Sequence, residues 1–61
     1  MKKIRLKVWV RLNTGVKWEG EMDAPQLLIG TSSIFVLGYE QAVRKQFLWT
    51  DVKEMRVEVR G

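Results

Sequence analysis

Lys3-Ile4-Arg5-Leu6-Lys7-Val8-Trp9-Val10-Arg11-Leu12 places an apolar residue at every even position and a basic residue or Trp9 at every odd one. Strict period two over such a run predicts a β-strand with one buried face. Asn13-Thr14-Gly15 follows, and a three-residue hairpin loop wants glycine in its last, left-handed place. Alternation resumes in Val16-Lys17-Trp18-Glu19-Gly20-Glu21-Met22, with even positions still inward. Phase is kept across the loop, as a hairpin requires. With Leu12 opposite Val16, Arg11 faces Lys17, Trp9 faces Glu19, Lys7 faces Glu21 and Arg5 faces Asp23.

Beyond the hairpin, Asp23-Ala24-Pro25-Gln26 breaks the pattern, because proline cannot serve a central ladder. Leu27-Leu28-Ile29 reads as a short strand closed by Gly30 and the turn-like Thr31-Ser32-Ser33. Ile34-Phe35-Val36-Leu37 is apolar throughout, the mark of a strand covered on both sides. From Gly38 to Trp49 two readings compete. Tyr39, Val43 and Phe47 fall four apart as on a helix, whereas Val43–Trp49 reads as a strand after a turn; the strand is favoured. Thr50-Asp51-Val52-Lys53-Glu54 predicts one helical or 3₁₀ turn capped by Thr50 or Asp51. Met55-Arg56-Val57-Glu58-Val59-Arg60 alternates again. Ile4, Leu6, Val8, Val10, Leu12, Val16, Trp18, Met22, Val57 and Val59 are expected inward on one continuous sheet. The class predicted is all-β: a small, strongly bent, five-stranded barrel of SH3-like or Sm-like kind, with one short helical turn.

The chain has 61 residues, enough for one domain over 1–61. At 7.2 kDa it should bury about 6,000 Å² on folding. The apolar part of that contributes about 90 kcal/mol, and ordering the chain costs about the same. A chain so balanced often leans on a staple or a partner. Cysteine and histidine are absent, which excludes disulfides and the usual zinc sites. Self-association is therefore expected, and the all-apolar Ile34, Phe35, Val36 and Leu37 are the expected oligomer interface. No run approaches a membrane span, and Met1-Lys2-Lys3 leads into alternation instead of a signal-peptide core. A cytoplasmic protein is expected, with no membrane partner.

The hairpin also carries a recognisable spacing. Val10-x-Leu12-x-x-Gly15-x-x-Trp18-x-Gly20-x-Met22 resembles the first half of the Sm motif of the Sm, LSm and Hfq family. The resemblance implies a five-stranded barrel, ring assembly and single-stranded RNA as ligand. It covers about 13 residues of the chain. The family's RNA-contacting Asp and Asn have no counterpart in Asp23–Ile29, where Pro25 intervenes. Leu37-Gly38 lacks the basic residue of the second motif, and Phe47-Leu48-Trp49 stands where the bacterial branch has Tyr-Lys-His. Architecture is what the resemblance implies here; the RNA pocket does not carry over.

Net charge is +4, which favours nucleic acid or another polyanion as partner. Lys3, Arg5, Lys7 and Arg11 project from one strand face with Trp9 among them. Cations for phosphate and a ring for a base are what single-strand binding uses. The expected binding residues are Lys7, Trp9, Arg11, Lys17, Arg44 and Lys45, with Arg11 the cation lacking an acidic neighbour. Facing carboxylates would make part of this stripe a solvated sheet face. The alternatives are a protein-interaction or inhibitor module and a domain with no ligand. Catalysis finds no candidates: acid–base work would fall to Tyr39 or to carboxylates spaced along an open strand, and no phosphate-cradling glycine loop occurs. Neither a cofactor nor a metal is expected.

Overall fold

The computed structural model describes residues 4–38, 40 and 42–61. Lys3 and Tyr39 lie outside the described residues. Among the described residues six strands form: β1 (Arg5–Leu12), β2 (Lys17–Asp23), β3 (Leu27–Ile29), β4 (Ser33–Leu37), β5 (Val43–Leu48) and β6 (Val52–Val59). They make two antiparallel three-stranded sheets, ordered β2-β1-β6 and β3-β4-β5. The expected barrel has five strands; the described residues hold six, with the short Leu27–Ile29 strand counted. No ladder joins the two sheets among the described residues, so no closed barrel forms.

The β1–β2 hairpin has the expected register, from Arg5 opposite Asp23 to Arg11 opposite Lys17. Gly15 takes φ +93°, the left-handed region where a side chain is strained. Its N–H and that of Leu12 close the loop, to Leu12 O and Val16 O, each at 2.9 Å.

A 3₁₀ turn at Ala24–Gln26 carries the chain from one sheet to the other. Pro25 suits it, lacking the N–H that a ladder would need. Asp23 N–H donates to Gln26 Oε1 at 2.9 Å, and Ala24 N–H donates to Ile4 O at 2.8 Å. A second 3₁₀ turn spans Trp49–Asp51, one residue ahead of the expected turn. Neither Thr50 nor Asp51 caps it: the cap position is Leu48, and it makes no side-chain bond. The loop residue Asn13 pins that turn instead, bonding Asp51 O through its N–H (2.8 Å) and Thr50 O through Nδ2 (2.9 Å). β6 then starts at Val52, three residues before the expected Met55.

Val43–Leu48 is the strand that the sequence favoured over a helix. Gly38 N–H donates to Ala42 O at 2.8 Å, and Glu40 adopts φ +57°. The reversal returns the chain against β4.

Val8, Val10, Met22, Ile34, Val36 and Phe47 form the core, ringed by Leu12, Trp18, Leu27, Trp49, Val52 and Met55. Trp18 stacks on Phe47 with centroids 5.3 Å apart and an interplanar angle of 57°. Trp49 Nε1–H donates to Gly30 O at 2.8 Å, as a half-buried indole requires. The inward set needs one correction. Leu6, Val8, Val10 and Met22 are buried and Leu12 and Trp18 partly so, but Ile4, Val16, Val57 and Val59 are exposed. Val57 and Val59 pair with Val8 and Leu6 and so share their face. They are exposed because β6 is the edge strand: in the same rows Val8 and Leu6 of the central strand are buried. The covering sheet stops short of this stretch of the β6 edge.

Candidate nucleic-acid interface

The outer face of the β2-β1-β6 sheet is a grid set by the two ladders. Its rows read Lys17–Arg11–Glu54, Glu19–Trp9–Arg56, Glu21–Lys7–Glu58 and Asp23–Arg5, with Arg60 following β6. Six cations thus share the face with five carboxylates. Most are paired: Arg5 with Asp23 at 3.2 Å, Lys7 with Glu19 at 4.0 Å, and Glu58 with both Arg56 (3.6 Å) and Arg60 (3.0 Å). Lys7 takes the diagonal Glu19, not the directly opposite Glu21.

Arg11 overturns its expectation. Its Nη2 lies 3.0 Å from Glu54 Oε2. The register that brings Glu54 of β6 opposite Arg11 is a long-range pairing, and the hairpin alone could not supply it. Arg11 Nε is buried without a hydrogen-bond partner among the described residues.

Trp9 sits half-buried at the centre of this grid. The Arg56 guanidinium carbon lies 4.7 Å from its ring centroid and Lys7 Nζ lies 5.5 Å away. Each such contact contributes about 0.5–1 kcal/mol at an exposed site. Arg56 was not among the expected residues. Its signal was the alternation of Met55–Arg60, which puts Arg56 outward, but its neighbour depended on the β1–β6 register.

A shallow groove of about 380 Å³ opens beside Trp9, bounded by Arg11, Lys17, Trp18, Glu19, Glu54 and Arg56. A second, of about 250 Å³, runs between the β2 and β5 edges, with Arg44 and Lys45 on one side and Trp18 to Met22 on the other. Trp18 and Glu19 border both. The expected set is thereby divided. Lys7, Trp9, Arg11 and Lys17 share the outer face, whereas Arg44 and Lys45 stand across the seam between the sheets. Lys45 Nζ rests 5.6 Å from the Phe47 ring centroid. Lys17, Arg44, Lys45 and Lys53 form no ion pair among the described residues.

Ile34, Val36 and Leu37 are buried within a single chain, which leaves half-buried Phe35 as the one member of that run with surface to offer. Their apolarity fills this chain's own interior; an interface through them has only Phe35 to build on. Among the described residues, no helix is long and apolar enough to cross a membrane. No cluster of three or more His, Cys, Asp or Glu among them is placed to hold a metal ion. Comparison with known protein families, curated proteins and solved structures found no match.

Proposed function

We propose that this chain is a non-catalytic binding module, an opened relative of the small SH3-like barrels, that takes single-stranded nucleic acid along the β2 rim. The observation that carries the reading is the placement of Lys17, Arg44 and Lys45. These cations are unpaired among the described residues, and they flank a strand where two grooves meet at Trp18. A phosphate backbone crossing that rim meets three cations outside any ion pair among the described residues, beside a groove that Glu19 and Glu21 also line. Trp9 offers a ring for a base within the first groove. Paired cations such as Arg11 add less, because phosphate must compete with their carboxylates.

Titration of a labelled single strand at two salt concentrations tests this. Affinity should fall steeply with salt, and Arg44→Ala with Lys45→Ala should weaken binding and flatten the salt slope. Arg11→Ala should do less. Trp9→Ala should cost about 1–3 kcal/mol of binding if a base stacks there. A second reading, a protein-interaction module, draws on the near-neutral grid around Trp9, since Trp and Arg anchor many protein interfaces. Absence of oligonucleotide binding at about 20 mM salt, where screening is weak, would make that second reading the better one.

A further inference from the structure

We infer that β6 is a homodimer edge, pairing antiparallel with β6 of a second copy about a two-fold axis through Val57. The inference is independent of the nucleic-acid reading and starts from backbone direction. Arg5 donates its N–H to Gly61 O at 3.0 Å and accepts from Arg60 N–H at 2.7 Å. Odd residues of β1 therefore turn their peptide groups toward β6. Arg56 and Glu58, opposite Trp9 and Lys7, turn theirs back toward β1. Met55, Val57 and Val59 consequently point their N–H and C=O groups at the free edge, where no strand pairs with them among the described residues.

A two-fold centred on Val57 uses those groups. Val57 faces Val57 of the second copy, and Met55 faces Val59, each as a mutually bonded pair. On the outer face the same register sets Glu54 opposite Arg60 and Arg56 opposite Glu58, each twice by symmetry. All four cross-strand pairs are of opposite sign, and they fall at the closer, non-bonded positions of the ladder. Centring on Met55 or Val59 keeps only two such pairs. Centring on Arg56 or Glu58 sets like charges face to face and presents the wrong peptide groups.

The inner face agrees with the outer. Val57 and Val59 are 41% and 67% exposed in one chain, and this register lays them against Val57 and Met55 of the second copy. The contact is isologous, so it closes at two chains. The opposite edge of the same sheet is built differently. The hairpin bond from Leu12 N–H to Val16 O leaves Lys17, Glu19 and Glu21 facing outward along β2. A two-fold there sets Glu21 against Glu21 with Glu19 against Asp23, or Glu19 against Glu19 on the axis between two Lys17–Glu21 pairs; either register keeps a like-charge contact, the guard common on edge strands. β6 lacks that guard: its alternating charges fit a second copy of itself.

Light scattering or sedimentation over a concentration series tests the proposal. The folded wild-type chain should reach twice its 7.2 kDa mass. Amides of Met55, Val57 and Val59 should gain hydrogen-exchange protection as concentration rises. Val57→Lys puts two like charges on the axis at a position already open to solvent, and should yield a folded monomer. Glu54→Arg with Glu58→Arg makes one all-positive edge, and Arg56→Glu with Arg60→Glu one all-negative edge. Each double variant should be monomeric alone, and an equal mixture should restore the dimer. A folded wild type that stays monomeric throughout overturns the proposal, as does an assembly larger than two or a dimer that survives Val57→Lys.

Discussion

Gly20 lies where a side chain has nowhere to go: a Cβ there would sit 2.8 Å from Cη2 of Trp18. Trp18 lays its indole along β2 over this glycine, and its ring also packs against Phe47. The need for glycine is thus local, set by the strand's own tryptophan two residues earlier. Gly20→Ala should cost about 1–3 kcal/mol by overpacking, measured by denaturant unfolding. In a Trp18→Phe background the smaller ring frees the space, so the same substitution should cost less than additivity demands. An equal cost in both backgrounds would refute the account. Arg11 and Glu54 make a contrasting case. Their 3.0 Å bridge joins side chains 41% and 61% exposed, so a double-mutant cycle should return a coupling of about 0.2–1 kcal/mol. Its importance is electrostatic: it occupies the cation that the sequence left free.

At the scale of elements, the second 3₁₀ turn shows how loops hold the sheets in place. Trp49 donates Nε1–H to Gly30 O and its own N–H to Ser32 O at 3.1 Å, tying the turn to the β3–β4 connection. Trp49→Phe removes the indole donor and leaves Gly30 O to water. It should cost about 0.5–1.5 kcal/mol, with faster amide exchange confined to residues 30–33 and 49–52; exchange that quickens evenly across both sheets would argue against a local tie. What was legible in the sequence follows the same division. The hairpin could be read to the residue, because period two, a three-residue loop and Gly15 all fix one register. The strand at Val43–Leu48 and the turn before β6 were also legible, from local residue types. The register of β6 on β1 was not, since it joins residues forty or more positions apart and carries a bulge between Arg11 and Leu12. Two misjudged neighbours on the outer face, Arg56 beside Trp9 and Glu54 beside Arg11, trace to that one pairing; the third, Lys7 on the diagonal Glu19, is a side-chain choice within the hairpin. The exposure of Val57 and Val59 has a similar origin: alternation tells which face a residue takes, but the strand's place at the sheet edge decides whether it is buried.

For the whole molecule, the charge is distributed unevenly. The outer face of the long sheet nets only +1, from six cations and five carboxylates. The remainder of the chain's +4 comes from Lys2, Lys3, Arg44, Lys45 and Lys53 against Glu40 and Asp51. A polyanion responds to net potential over roughly a Debye length, about 8 Å at physiological salt. A checkerboard of paired charges largely cancels at that distance, while Arg44 and Lys45, adjacent on an exposed edge strand, do not. Amide shifts induced by a short single strand at low salt should therefore concentrate on β5 and the β2 rim from Lys17 to Gly20. Residues around Lys7 and Arg5, bridged to Glu19 and Asp23, should move little. Raising the salt should abolish the β5 shifts first, since exposed charges at an edge are the most readily screened. Shifts centred on Lys7 and Arg5, with β5 silent, would instead mean that a ligand displaces the carboxylates from the grid, and the rim would lose its claim to be the site.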